Sequence, residues 1–158
     1  MSLVSKILFP TDFSKHSQAA LPFVVDLAKR YDAEVHCLHA VDTEYEFPME
    51  ERYIVPLRTK PIDSDQLQRV TWAHMTEFVD KHMSEVRSLV RMTVVPGNPF
   101  EEIVRYAREE KVELIVIGTH GHSALASMLL GSVAERVIRK APCAVLSVRH
   151  AEHKFKAP

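Results

Sequence analysis

Apolar runs alternate with segments of helical periodicity along this chain of 158 residues. Five runs rich in valine, isoleucine and leucine stand at residues 4–9, 35–41, 86–95, 114–117 and 144–148. Between neighbouring runs, apolar residues recur at intervals of three and four, which is the spacing of one helix face. The runs are continuous rather than alternating, which indicates strands covered on both faces. The pattern therefore predicts a three-layer α/β fold, an open five-stranded parallel sheet with helices on both faces.

The four helical segments each gather their apolar residues on one side. Ser14 is predicted to cap the first segment, and the turn at residues 96–99 leads into the third. The connection at residues 42–64 is the one long irregular stretch, and it is either a functional segment, such as a lid or a partner surface, or simply mobile. The apolar residues of the four segments are, in chain order, Ala20, Leu21, Val24, Leu27 and Ala28; Leu67, Val70, Trp72, Met75, Phe78 and Val79; Phe100, Ile103, Val104 and Ala107; and Leu130, Val133, Val137 and Ile138.

Length and composition indicate one globular domain, which we place at residues 1–150, followed by a polar tail at residues 151–158. The 46% hydrophobic and 26% charged fractions are typical of a soluble protein. A net charge of −1 without a basic stripe argues against nucleic-acid partners, and no run is long enough to insert in a membrane. Cys37 and Cys143 have no metal-binding or redox spacing, so we expect reduced core residues of a cytoplasmic protein.

Nine histidines raise the alternative of a metal site. His120 and His122 are two residues apart, and His150 and His153 are three apart. Neither pair has a cysteine partner or a third ligand at a suitable spacing, so we expect no metal centre. The histidines predicted to be hydrogen-bonded structural residues of the second apolar run are His36 and His39.

Glycine is scarce in this chain and clustered where it occurs. Only four glycines are present, and three of them, Gly118, Gly121 and Gly131, fall within fourteen residues. They follow the fourth apolar run and precede the last helical segment. A strand, a glycine loop and a helix start, in that order, form the usual cradle for phosphate. No glycine is followed by lysine and no three glycines fall within six residues, so the cradle is neither a P-loop nor a dinucleotide fingerprint.

Three remote segments are predicted to meet at this cradle. Ligands of open α/β sheets bind beyond the carboxyl ends of the strands, where the strand order reverses. Pro10, Thr11 and Asp12 follow the first run, residues 40–42 stand at the end of the second, and the glycine loop follows the fourth. Structural alternatives stand beside this interpretation: the glycines serve turns alone, and Asp12 and Ser132 are helix caps.

The spacing Gly118-x2-Gly121-x9-Gly131-Ser132 resembles the G-x2-G-x9-G-[S/T] signature of nucleotide-binding universal stress proteins. The likeness extends over nearly the whole chain. Its other parts are the segments at residues 6–14, 38–41, 131–137 and 141–143, together with Gly97.

This resemblance implies a Rossmann-like sheet of strand order 3-2-1-4-5, as in the adenine nucleotide alpha hydrolase-like fold. It also implies a place for an adenine nucleotide, with the adenosine at the first two strand ends and the phosphates at the glycines. The implied contacts are Pro10, Thr11 and Asp12 beside the adenosine; the backbone of Ala40 at the adenine edge; Ile117 and Gly118 under the ribose and first phosphate; Gly121, Gly131, Ser132 and Val133 at the phosphates; and His120 and His122 in the same loop.

One position departs from the family pattern. The family often has arginine or lysine directly after the second glycine, where this chain has His122. A neutral imidazole offers at most one donor to a phosphate, whereas a guanidinium offers a charged fork. The ligand is therefore left open among ATP, ADP and AMP, with or without Mg2+.

The resemblance implies a dimeric regulator of stress responses rather than a dedicated enzyme. The last run, residues 144–148, predicts an exposed apolar edge that pairing across a two-fold axis would cover. No nucleophile and base can be assigned as a pair, so no catalytic residue is predicted. The alternatives are a slow nucleotide-hydrolysing enzyme and a nucleotide-independent dimeric scaffold. The sequence does not identify the regulatory partner.

Overall fold

The computed structural model describes residues 2–42, 64–119 and 130–150. Strands and helices alternate along these ranges. The strands are β1 (Lys6–Pro10), β2 (Glu34–Val41), β3 (Val90–Pro96), β4 (Leu114–Gly118) and β5 (Ala144–Val148). The helices are α1 (Lys15–Gln18), α2 (Leu21–Tyr31), α3 (Ser64–His82), α4 (Pro99–Glu109) and α5 (Ser132–Lys140), with a 3-10 helix at Ser84–Leu89.

All five strands are parallel and lie in the order β3-β2-β1-β4-β5, which confirms the expected topology. β1 is central, and the chain moves outward from it first through β2 and β3 and then through β4 and β5. The strand order therefore reverses between β1 and β4. Parallel sheets with this reversal open a crevice at the carboxyl ends of those two strands.

Two apolar layers cover the two faces of the sheet, as predicted. Successive residues of β1 alternate between them: Ile7 and Phe9 face one layer and Leu8 faces the other. The first layer packs under α2 and α3, and the second under α4 and α5. Because every strand residue of β1 from Ile7 to Pro10 is buried, the central strand carries no polar face.

The third strand begins later than predicted. Ser84–Leu89 forms a 3-10 helix, so β3 starts at Val90 instead of residue 86. Val86 is buried from within this 3-10 helix. The apolar character of Val86 therefore indicated that the residue is buried, but not that it belongs to a strand. For this reason the predicted start of β3 is wrong.

Two apolar residues of the predicted helix patterns are exposed, Val70 at 54% and Ile138 at 42%, and so is Trp72, at 45%, on the same helix as Val70. Successive helix residues point about 100° apart, so only one of two neighbours can face the sheet. Thr71, between Val70 and Trp72, is the buried residue in that part of α3, and Val137 is the buried neighbour of Ile138.

Some predictions lie outside the described residues. They concern the connection at residues 43–63, the loop at residues 120–129 with Gly121, His120 and His122, and the tail at residues 151–158. Among the helices that are described, none is long and apolar enough to cross a lipid bilayer.

Candidate functional site

Backbone hydrogen bonds join the loops at the carboxyl edge of the sheet. Thr11 N, just after β1, donates to Leu38 O of β2 at 2.9 Å. Thr119 N, just after β4, donates to Val148 O of β5 at 3.0 Å. Each loop thus continues the pairing of the strand before it, and the exits of β1 and β4 are held beside their neighbours at this edge.

The start of α5 returns to the exit of β4. Gly131 N donates to Thr119 O at 2.5 Å. This contact sets Gly131, and with it the start of α5, beside Thr119, which directly follows Gly118. Two ends of the predicted phosphate cradle are therefore adjacent in the structure.

Gly131 occupies the N-cap position of α5, and Ser132 is the first helical residue. The alternative that Ser132 is the cap is therefore wrong. The backbone of Gly131 is extended, with φ −69° and ψ 153°, and glycine has no side chain to accept from the first turn of the helix. The first N–H groups of a helix have no acceptor within it, and they carry a partial positive charge. This helix start can accept an anion.

A network of hydroxyl and carboxylate groups shapes the exit of β1. Asp12 Oδ1 accepts hydrogen bonds from Ser14 N at 3.0 Å and from Ser14 Oγ at 2.5 Å. Ser14 Oγ in turn accepts from Ser17 N at 3.1 Å and caps α1. Thr11 Oγ1 lies 2.9 Å from Ser17 Oγ. Ser14 thus caps the four-residue α1 and not the longer helix for which it was predicted, because α2 begins separately with Ala20 at its N-cap and no side-chain hydrogen bond there. The alternative that Asp12 caps the helix is wrong.

Gly118 has a structural role that the sequence did not reveal. A Cβ built on it would lie 2.5 Å from His16 O and 2.9 Å from the Cα of Ser17. The backbone of α1 therefore lies directly on Gly118. This packing connects the exits of β1 and β4 and requires glycine whether or not a ligand is present.

The exit of β2 contacts the exit of β1 through a histidine. His39 Nδ1 lies 2.7 Å from Thr11 O, which confirms the prediction that His39 is a hydrogen-bonded structural residue. Ala40 and Val41 are buried, and Asp42 is half-buried at the end of the strand. The backbone of Ala40 therefore lies beside the loop that carries Asp12.

A ring stack at the same place was not predicted. The Phe13 ring lies between the rings of His39 and His74, with centroids 4.5 Å away on each side. Phe13 also has a left-handed backbone, with φ +63°. No sequence signal marks this conformation, because a bulky residue at positive φ is unusual.

Two other titratable side chains, His36 and Cys37, are buried in the core. His36 Nδ1 lies 2.8 Å from Tyr106 OH, as expected of a structural histidine. Its Nε2 is 2.8 Å from Glu34 Oε1, close enough for an ion pair but not aligned for a hydrogen bond. Burial lowers the pKa of His36. Burial also raises the pKa of the Cys37 thiol to about 12, so Cys37 is not a nucleophile at neutral pH.

Two surface grooves, of about 390 and 570 Å³, lie away from this crevice. The first is bounded by α3 and β3 and the second by α2 and the end of α3, and neither contains a predicted contact residue. The crevice is therefore distinguished by the convergence of backbone and polar groups at the strand ends.

A model of the universal stress protein family matches residues 4–149 of this chain. The universal stress protein MJ0531 of Methanocaldococcus jannaschii is 36% identical over 153 residues, which cover 94% of this chain and 84% of that protein. The universal stress protein MJ0577 of the same organism is 33% identical over 156 residues, covering 93% and 96%.

Solved structures share the fold. The structure of MJ0577 superposes with a TM-score of 0.73 at 33% identity and covers 95% of this chain and 99% of that one. A crystal structure of a universal stress protein in complex with cAMP superposes with a TM-score of 0.67 at 23% identity, covering 94% and 98%. At that identity, the second likeness concerns the fold alone.

Proposed function

The chain belongs to the universal stress protein family, and from this premise we propose that it binds an adenine nucleotide in the crevice between the ends of β1 and β4. The phosphates lie at the start of α5 and the adenosine lies at the exits of β1 and β2. In this proposal, the bound nucleotide regulates a dimeric protein in the stress response.

The observation that carries the proposal is the hydrogen bond from Gly131 N to Thr119 O. It sets the start of α5 beside the exit of β4, one strand from Thr11 and Asp12. Phosphate binds well where helix N–H groups point outward and no Cβ blocks the approach. The hydroxyl of Ser132, which is exposed in the first turn, adds a donor.

The adenosine end of the site in this proposal follows the family resemblance. Pro10, Thr11 and Asp12 border the nucleoside, and the backbone of Ala40 meets the adenine edge. Ile117 and Gly118 pass beneath the ribose and the first phosphate. The remaining contacts of the proposal are Gly121, Val133, His120 and His122.

The choice among ATP, ADP and AMP, with or without Mg2+, stays part of the proposal. One protein of this fold was crystallised with cAMP, so the architecture accommodates an adenine nucleotide. A neutral His122 in place of a cationic side chain weakens the attraction for a third phosphate. We therefore expect a smaller preference for ATP over AMP than arginine at this position would give.

The dimer of this proposal forms through β5. This strand pairs only with β4 among the described strands, and its Val145 and Leu146 are half-buried. An edge of this kind favours pairing with a second copy across a two-fold axis. The two free thiols, Cys37 and Cys143, suit the reducing cytoplasm in which we place the protein.

The proposal is tested by denaturing the freshly purified protein and separating any released nucleotide by chromatography. Gly131→Val is the test variant, because the extended backbone at Gly131 suits valine while the side chain blocks the phosphates. Ala73→Val, which creates the same side chain on the exposed side of α3, is the matched control.

We expect the parent and Ala73→Val to release an adenine nucleotide and a folded Gly131→Val to release none. A parent that is empty and also fails to bind added ATP, ADP or AMP would contradict the proposal and favour the scaffold. Nucleotide turnover well above background that Asp12→Ala abolishes would favour the hydrolase instead.

A further inference from the structure

Phe13 is held in a conformation that its side chain disfavours. Its φ of +63° lies in the left-handed region, which bulky residues rarely enter. It directly follows Asp12, at the turn from β1 into α1. Backbone strain of this kind persists only where the surroundings over-determine it, and it is concentrated at functional sites.

Three rings from two elements surround the Phe13 ring. His39 of β2 and His74 of α3 lie on its two faces, each with a centroid distance of 4.5 Å and interplanar angles of 29° and 25°. Phe78 of α3 meets it edge-on at 5.3 Å. We call the set His39, Phe13 and His74 the ring stack.

Hydrogen bonds fix the backbone on both sides of the ring stack. Phe13 N donates to Thr11 Oγ1 at 3.0 Å, and Gln18 Nε2 donates to Phe13 O at 3.2 Å. His39 Nδ1 lies 2.7 Å from Thr11 O. Because a carbonyl only accepts, Nδ1 of His39 carries the proton in this contact. The peptide before Asp12 is thus tied to His39 of the ring stack, and the peptide after it is tied to the hydroxyl of Thr11.

We propose that the ring stack is a positioning device for nucleotide binding, which sets the direction of Asp12 through the left-handed turn at Phe13. The inference rests on the proposed function, since it names residues that act on the ligand only through Asp12. His74 is the informative member because it belongs to α3, which supplies none of the proposed ligand contacts. Through His74, the affinity for the nucleotide depends on the position of α3.

Two variants and one control separate positioning from simple packing. Phe13→Leu keeps most of the apolar volume but removes the two stacked contacts and the edge contact with Phe78. His74→Leu removes one stacked contact at an exposed position where folding is not at risk. His82→Leu is the matched control: His82 lies on the same helix and contacts Phe78 at 4.9 Å, but it does not touch Phe13 in the described contacts. Each protein is titrated with the nucleotide that the parent binds best, and thermal unfolding is recorded in parallel.

We expect Phe13→Leu to weaken binding about tenfold and His74→Leu about threefold, on the scale of two aromatic contacts and one. His82→Leu should stay within about twofold of the parent, because a surface change away from the site has little effect.

The decisive comparison uses the Asp12→Ala background. If the ring stack acts through Asp12, Phe13→Leu changes affinity less than about twofold once Asp12 is gone, because coupled residues are not additive. A full tenfold loss in that background, or unchanged affinity of both ring-stack variants in the parent background, overturns the inference while the proposed function stands. A parent that binds no adenine nucleotide overturns both.

Discussion

At Gly118 the chain leaves no room for a side chain. The backbone of α1 lies against its Cα, so Gly118→Ala must push α1 away or distort β4. Overpacking of a buried contact costs about 1–3 kcal/mol, and we expect a loss of about 2 kcal/mol in the free energy of unfolding. Urea denaturation measures it. Ser147→Ala, at an exposed position of β5 paired with Ile117, is the control and should change stability by less than about 0.5 kcal/mol. Equal stability of the two variants would contradict the close packing.

A second residue-scale prediction concerns pH and His36. Burial lowers the pKa of His36 in the folded protein below the ordinary 6.5, although Glu34 opposes the shift. The unfolded chain therefore binds the proton more readily, and stability falls as the pH drops below about 6.5 towards the lowered value. The groups that face this imidazole are Glu34, Arg91, Glu110, Lys6 and Tyr106.

His36→Asn retains a polar atom near Nδ1 for Tyr106 and removes the titration. We expect its free energy of unfolding to fall less steeply than that of the parent between pH 7 and pH 5. Urea midpoints across this range measure both slopes. Burial also lowers the pKa of His82, so the comparison of the two proteins isolates His36. Parallel slopes would show that His36 does not drive the acid dependence.

Residues that depend on local chemistry were predictable, and those that depend on remote contacts were not. Ser14 was predicted as a cap because serine can accept from the first turn of a helix. The left-handed Phe13 was not predicted, because it depends on rings that arrive from β2 and α3. Gly118 was predicted as a ligand position, and its contact with α1 emerged only from the packing.

At the scale of elements, β5 is the strand on which the proposed dimer depends. Val145→Lys places a charge on this edge, and like edges that each carry a lysine repel each other. We expect light scattering to show a shift from dimer to monomer. Val95→Lys is the matched control, because Val95 packs against the same apolar layer from β3 at the opposite edge. A dimer that survives Val145→Lys, or that is lost equally in Val95→Lys, would contradict pairing through β5.

Element existence was easier to predict than element bounds. The continuous apolar runs identified all five strands, because parallel strands are buried on both faces. The start of β3 was missed since a 3-10 helix buries Val86 equally well. The exposed Trp72 and Ile138 show the same limit, because apolar character alone does not say which neighbour faces the sheet.

At the scale of the whole molecule, the strand order brings residues from separate parts of the sequence to the same edge of the sheet. Thr11, Thr119 and Gly131 are remote in sequence, and their backbone hydrogen bonds gather them at the carboxyl edge of the sheet. The order of strands and helices in the sequence predicted a convergence at this edge, because ligands of open α/β sheets bind beyond the carboxyl ends of the strands. The identities of the nucleotide and the partner were beyond the sequence, because they depend on affinities that no spacing records.

The most direct test of the account is calorimetric titration of the parent and Gly131→Val with the preferred nucleotide and with adenosine. If the start of α5 holds the phosphates, the parent binds the nucleotide at least about tenfold more tightly than adenosine. Gly131→Val should lose this difference while it still binds adenosine. A parent that binds neither ligand, or a variant that keeps the full preference for the nucleotide, would contradict a phosphate site at this helix.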